Sequence, residues 1–156
     1  MVSKLKNPII FQGNLMQKRY FEGWYFKQVS ADKKTSISII PGISLNEEDA
    51  HSFVQYFLAE EMENGEIHTS NHYFRYPLSL FHYHDKPFLI KIGPNIFTES
   101  FLSVSLQNKE AVLEGKIGFG KFQPIRTSLL SPSIMGPFSY VPNMECYHGV
   151  DRKSVV

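Results

Sequence analysis

Residues 19–29 read Arg-Tyr-Phe-Glu-Gly-Trp-Tyr-Phe-Lys-Gln-Val, and five of these eleven side chains are aromatic. Aromatic residues favour β-strands, so the stretch predicts a strand over roughly residues 19–30. Because side chains on a strand alternate between faces, one face should carry Tyr20, Glu22, Trp24, Phe26 and Gln28. The other face should carry Phe21, Gly23, Tyr25, Lys27 and Val29. Rings occur on both faces, so we expect both to be buried and the carboxylate among them to lie on the wall of an apolar cavity.

The composition is that of a folded protein. The chain of 156 residues fits one domain with a real core, and its 42% apolar and 20% charged residues exclude a disordered chain. Aromatic residues reach 14%, which favours strands and ring-lined pockets over helical bundles. The formal net charge of +1 offers no electrostatic basis for nucleic acid or an anionic membrane surface as partner.

The cellular setting follows from what the sequence lacks. The single cysteine, Cys146, excludes an internal disulfide and suits a reducing compartment. The first residues do not have the apolar core of a signal peptide, and no apolar run is long enough to cross a bilayer. We therefore expect a cytoplasmic protein with no integral membrane segment and no nucleic-acid partner.

A meander of short strands follows the aromatic stretch. Residues 35–39 alternate as a half-buried strand, which Pro41-Gly42 should end. Residues 51–58 form a central strand, and Asn64-Gly65 predicts a hairpin to residues 67–76. Further short strands are expected at 88–92, 96–97, 101–106 and 111–117. The pattern predicts an all-β, antiparallel sandwich or barrel with few or no helices.

The chain divides into four predicted parts. Residues 1–18 are an N-terminal loop with a short strand at Ile9 to Phe11, and residues 19–126 are the antiparallel β-domain. Residues 127–150 form an irregular crossing segment with three prolines, and residues 151–156 are a tail.

Four blocks of sequence resemble the tocopherol cyclase-like family: Arg19 to Lys27, Pro41-Gly-Ile-Ser44, His51-Ser-Phe-Val-Gln55 and Met144-Glu-Cys-Tyr-His-Gly149. The later blocks look like the bacterial branch. The resemblance implies a lipocalin-like β-domain, the first of two in the family, with the second domain missing here and a tail unlike family sequence. Plant members close a chromanol ring by protonating an isoprenoid double bond. We therefore expect a prenylated apolar ligand and a truncated chain that is inactive by itself.

Glu22 is the candidate acid for such a reaction. Protonating an alkene requires a carboxyl group that stays protonated at neutral pH, and burial among rings favours that state. Tyr20, Trp24 and Phe26 would then bind the substrate, and the faces of these rings would stabilise the cation. The alternative is that Glu22 pairs with Arg19, Lys27 or a histidine and only fixes the strand.

Two further groups of residues are candidates. His51 shares a face with Phe53 and Gln55, so the histidine would orient or deprotonate a phenol while Phe53 and Gln55 bind the substrate. Glu145 and His148 belong to a second polar and aromatic cluster that would also bind the substrate. The alternative for both groups is a structural role, for His51 as a hydrogen-bonded residue and for the second cluster as part of a domain junction.

The histidines do not form a metal-binding pattern. His82 and His84 share a predicted strand face, but no cysteine or carboxylate follows at ligand spacing. We expect neither a metal nor a cofactor.

Three functions stay open from the sequence. The first is a lyase or isomerase that adds a proton to an isoprenoid double bond. The second is a non-catalytic, lipocalin-like binder of an apolar ligand. The third is an inactive or partly folded fragment, which predicts an exposed apolar patch where the missing half would dock.

Overall fold

The computed structural model describes residues 9–124 and 150–151, which form two five-stranded antiparallel sheets. The first sheet contains β1 (Tyr20–Gly23), β2 (Phe26–Val29), β3 (Thr35–Leu45), β4 (His51–Glu61) and β5 (Ile67–Pro77). A single 3-10 turn, Leu78–Leu80, leads to the second sheet: β6 (Phe81–Asp85), β7 (Phe88–Ile92), β8 (Asn95–Thr98), β9 (Phe101–Gln107) and β10 (Val112–Gly118). Two short strands, β11 (Gln123–Pro124) and β12 (Val150–Asp151), pair with each other. The all-β prediction is confirmed, as a sandwich and not a closed barrel.

Both sheets are built from chain neighbours. In the first sheet β3 pairs with β4 and β4 with β5, while β1 and β2 both pair with β3 along the same edge. The second sheet is a simple meander from β6 to β10. Apart from β1, which pairs with β3, the pairs within each sheet join strands that follow one another along the chain.

The inner face of the first sheet is organised in rows that run across the strands. The central row consists of Trp24, Pro41, Val54 and Phe74, and all four are buried. The neighbouring row toward the end of β2 consists of Phe26, Ile39, Tyr56 and His72. The next row consists of Gln28, Ile37, Leu58 and Ser70, and a final row of Thr35, Glu60 and His68 lies beyond it. In the row of Gln28, only Gln28 is buried, and the other three side chains are half-buried.

The second sheet covers the centre of these rows with aliphatic and aromatic side chains. Its fully buried members are Phe88, Ile90, Ile92, Phe97, Leu102 and Leu106. Burying each such side chain stabilises the fold by roughly 1.5–3 kcal/mol relative to leaving it exposed. The Trp24 ring lies 6.3 Å from Phe81 of β6, and the Phe26 ring lies 5.4 Å from Phe97 of β8. The edge formed by β1 and β2 therefore lies across the strands of the second sheet, with Trp24 near β6 and Phe26 near β8.

Pro41 interrupts the edge strand that pairs with β3, which is divided into β1 and β2, and leaves β3 itself continuous. The sequence predicted that Pro41-Gly42 ends the strand begun at Thr35, and this is wrong because β3 continues to Leu45. Opposite Pro41, the backbone N–H of Trp24 donates to the Pro41 carbonyl at 2.9 Å. Pro41 has no N–H to return that bond, so the edge breaks at Trp24 and Tyr25 into β1 and β2.

The break leaves the pairing register unchanged. Gly23 pairs with Gly42, and after the break Phe26 pairs with Ile39, as an uninterrupted antiparallel ladder would give. The alternation predicted for residues 20–29 is therefore confirmed. The prediction that both faces are buried is wrong, since Phe21 and Tyr25 on the outer face are 66% and 57% exposed.

The N-terminal segment covers one end of the sandwich without forming a strand. The short strand expected at Ile9 to Phe11 does not form, and residues 9–19 are irregular. Phe11 is nevertheless buried, and its ring meets Tyr83 at 4.7 Å and Phe81 at 5.7 Å. Ring packing and side-chain hydrogen bonds, rather than a backbone ladder, hold this segment in place.

Candidate functional site

Glu22 lies on the inner face, where hydrogen-bond donors surround its carboxylate. The backbone N–H of Gln12 donates to its two oxygens at 3.0 and 3.1 Å, and that of Gly13 donates at 3.2 Å. The Tyr20 hydroxyl donates to the carboxylate at 2.6 Å. An ionised carboxylate accepts all of these bonds, whereas a protonated carboxyl group would turn its own O–H toward another donor. The contacts are those of a residue that fastens the N-terminal segment to β1.

Trp24 and Phe26 point into the same interior, as their alternation with Glu22 predicted. The indole N–H donates to the Ile9 carbonyl at 2.7 Å, and the indole ring packs on Phe11, Phe81 and Phe88. Phe26 packs on Phe97 and stacks on Phe119 at 6.0 Å. These are the contacts of a packed core, so the two rings stabilise the sandwich whatever else they bind.

His51, Phe53 and Gln55 share a face, as predicted, but it is the outer face of the first sheet. Ser52 and Val54 of β4 lie in the inner rows, so the odd-numbered residues of β4 point away from the second sheet. The structure therefore separates these three residues from Glu22 and Trp24 by the thickness of the sheet. The predicted site residues that the structure describes form two groups that cannot contact one ligand.

Phe53 is buried on this outer face because other rings cover it. Its ring stacks on Tyr73 at 4.9 Å and on Phe21 at 5.6 Å, and it is 1% exposed. The ring lies over the paired glycines Gly23 and Gly42, where a Cβ would stand close to it. The glycine of the Pro-Gly motif, Gly42, therefore provides the space for Phe53, whereas a Cβ at Gly23 would be at ordinary contact distance from the ring.

A polar network borders these stacked rings. His51 Nδ1 lies 2.9 Å from the Asp49 carbonyl, and Nε2 lies 2.8 Å from the Tyr73 hydroxyl. Because a carbonyl only accepts, Nδ1 carries the hydrogen in the neutral ring, and the Tyr73 hydroxyl donates to Nε2. Arg75 pairs with the Asp49 carboxylate through both terminal nitrogens.

Three pKa values are shifted within this network. The Arg75 hydrogen bond lowers the pKa of Asp49, and the same bond raises the pKa of Arg75. Burial raises the pKa of the Tyr73 hydroxyl, so the phenol keeps its proton. His51 thus holds a neutral phenol in place, which favours its structural alternative.

Sequence reasoning missed Tyr73 and Arg75, although a signal was present. The hairpin at Asn64-Gly65 pairs Phe53 with Arg75 and Gln55 with Tyr73. A register counted outward from that turn places both residues on the face of His51.

The outer face also carries a shallow groove of about 380 Å³. Its side chains are a mixture of rings and polar groups, including Tyr25, Lys27, Ser38, Phe57 and Asn71. The Tyr25 and Ser38 hydroxyls are 2.7 Å apart, and Asn71 accepts a bond of 2.9 Å from the Gln55 amide. Exposed hydrophobic side chains on this face include Phe21, Tyr25 and Phe57. Docking of a second domain there stays a prediction.

Glu145, His148 and nearly all of the proline-rich segment lie outside the described residues. Within residues 9–122, no three His, Cys, Asp or Glu side chains gather as metal ligands would. His82 and His84 lie on β6 as exposed neighbours on one face, and His84 Nδ1 is 3.0 Å from the Pro87 carbonyl. The described part of the chain contains no helix with the length and apolarity needed to span a bilayer.

Comparisons with protein-family models, with curated proteins and with solved structures find no match to this chain. The resemblance to the tocopherol cyclase-like family therefore stays a prediction that rests on the four quoted blocks.

Proposed function

We propose that the protein binds a small apolar molecule at the end of its interior that the second sheet leaves partly uncovered. The observation that carries this proposal is the inner-face row of Gln28, Ile37, Leu58 and Ser70. Ile37 and Leu58 point inward in this row, yet both keep part of their surface in contact with solvent. Accessible apolar side chains are typical of the walls of a ligand site.

The facing sheet offers a matching apolar wall. Leu113 and Ile117 of β10 pair with the buried Leu106 and Leu102, so they share the inner face of that sheet, and both are half-buried. Gly115 lies between them, and no described atom comes within 4 Å of where its Cβ would stand. Since the β1–β2 edge runs from β6 toward the far strands of the second sheet, its Gln28 end approaches this wall. A ligand chain between the two walls would bury aliphatic surface on both sides.

Two variants on opposite faces of the first sheet test where the ligand binds. The neutral probe N-phenyl-1-naphthylamine fluoresces on entering an apolar site, and we expect the wild-type protein to bind it. Ile37→Gln should weaken binding about tenfold, because it replaces roughly two buried methylene equivalents with a polar amide. Phe57→Gln is the control, since Phe57 lies in the outer groove and points to the opposite face.

The outcomes separate the two faces. Weakening by Ile37→Gln alone supports the interior site. Weakening by Phe57→Gln alone would move the ligand to the outer groove and overturn the proposal, as would a wild-type protein that fails to bind the probe.

A second proposal is an acid-assisted cyclisation or hydration of an isoprenoid double bond in a prenylated substrate, as the family resemblance implies. The observation that favours it is that Glu22 shares the inner face with Trp24 and Phe26, the rings that would stabilise a cation formed by protonation. Incubation with a prenylated hydroquinone, followed by chromatography for the chromanol, tests this reaction. Full turnover by a folded Glu22→Gln variant would remove Glu22 as the acid, and absence of product from the wild-type chain would remove the reaction.

A further inference from the structure

Gln28 is the one residue of its inner-face row that is almost fully buried, with 4% of its surface exposed. Neither its amide nitrogen nor its amide oxygen has a hydrogen-bond partner among the described residues. Buried polar groups in proteins are nearly always paired. Leaving one unpaired typically lowers the folding equilibrium constant roughly ten- to a hundredfold.

The surroundings of Gln28 explain why no protein group pairs with it. Its neighbour across the ladder is Ile37, and its neighbour two positions back on the same face is Phe26. Lys27 and Val29 point to the opposite face of the sheet. The amide therefore lies at the buried edge of an apolar surface, with a donor and an acceptor both available.

We propose that Gln28 is the polar contact for the ligand and that it selects an apolar molecule bearing a hydroxyl group, either an alcohol or a phenol. This inference rests on the proposed binding function of the same interior end. One hydroxyl group donates to the amide oxygen and accepts from the amide nitrogen, so it satisfies both unpaired atoms. An ether or ketone only accepts, and it would leave the amide oxygen unpaired.

A charged ligand head does not fit the same position. A carboxylate would face the amide oxygen with another acceptor, and burying its charge beside Ile37 and Phe26 is costly. Long-chain alcohols and phenols are thus preferred to fatty acids.

A matched pair of ligands tests the selection. Farnesol and farnesyl methyl ether have the same isoprenoid chain, and both can be titrated as competitors of N-phenyl-1-naphthylamine. The wild-type protein should bind farnesol about tenfold more tightly than the ether, the effect expected of one hydrogen bond to a buried group. Gln28→Met keeps the side-chain volume and removes the amide, so this preference should disappear. Gln107→Met, at an exposed position of β9, is the control and should keep it.

A second readout uses the protein without ligand. Gln28→Met should raise its unfolding midpoint in urea, because the buried unpaired amide is gone, while Gln107→Met should not. Equal wild-type affinity for both competitors, or an unchanged preference in Gln28→Met, would overturn the role of Gln28 and leave the binding function intact. Failure of the wild-type protein to bind the probe or either competitor would overturn the proposed function and this inference with it.

Discussion

Gly42→Ala should destabilise the protein by about 2 kcal/mol, within the 1–3 kcal/mol typical of overpacked sites. A Cβ at this position would collide with the Phe53 ring and stand 2.6 Å from the backbone oxygen of Glu22. The ring is held on both sides by Phe21 and Tyr73, so it cannot turn away freely. The backbone oxygen belongs to the paired strand, so relief requires β1 and β3 to separate.

Urea denaturation followed by the fluorescence of Trp24 measures the free energy of unfolding. In a thermal melt, a loss of about 2 kcal/mol corresponds to a decrease in Tm of about 4–8 °C for a chain of this size. Gly115→Ala is the matched control, because its Cβ meets no described atom within 4 Å on another strand. Removing a glycine there should leave stability unchanged or raise it by about 0.4–1 kcal/mol. A Gly42→Ala protein within 0.5 kcal/mol of wild type would refute the packing argument for this ring and its glycines.

Three other perturbations probe the contacts around the two faces. Tyr20→Phe removes the hydroxyl that donates to Glu22 and should cost about 1.5–3 kcal/mol in urea denaturation, as expected for a bond to a charged group; an unchanged midpoint would contradict this. Trp24→Phe removes the indole N–H bond to the N-terminal segment, so limited proteolysis should cut residues 9–19 faster than in the wild-type protein. The pKa of Asp49 is lowered in the folded protein, so the stability from its pair with Arg75 is present above about pH 4 and is lost as the pH falls through the folded pKa. Arg75→Gln should therefore destabilise the protein more at pH 7 than at pH 3, and equal effects at both pH values would argue against the pair.

The sequence predicted the faces of single strands well, because alternation depends only on the backbone. Residues 20–29 keep their alternation even through the break at Trp24 and Tyr25, since the register with β3 is constant. The effect of Pro41 was predicted wrongly because a proline interrupts the pairing of its strand only on the side where its N–H would donate. On that side, the edge strand has a gap, and on the other side β3 pairs normally with β4.

The relation between strands was harder to predict than the faces within them. Glu22 and His51 fall on opposite faces because β3 lies between their strands and fixes both registers. A one-residue change in either register would have placed them together. Likewise, alternation placed Gln28 inward, but only the complete set of neighbours shows that its amide has no partner.

The order of the two sheets along the chain has a consequence for synthesis. The first sheet is complete at Pro77, whereas the last strand of the covering sheet ends at Gly118, about 40 residues later. At roughly 5–20 residues per second, a ribosome needs about 2–8 s to make that difference. During this interval the nascent chain presents the central row of Trp24, Val54 and Phe74 without its cover, and this is when a chaperone would be most useful to it.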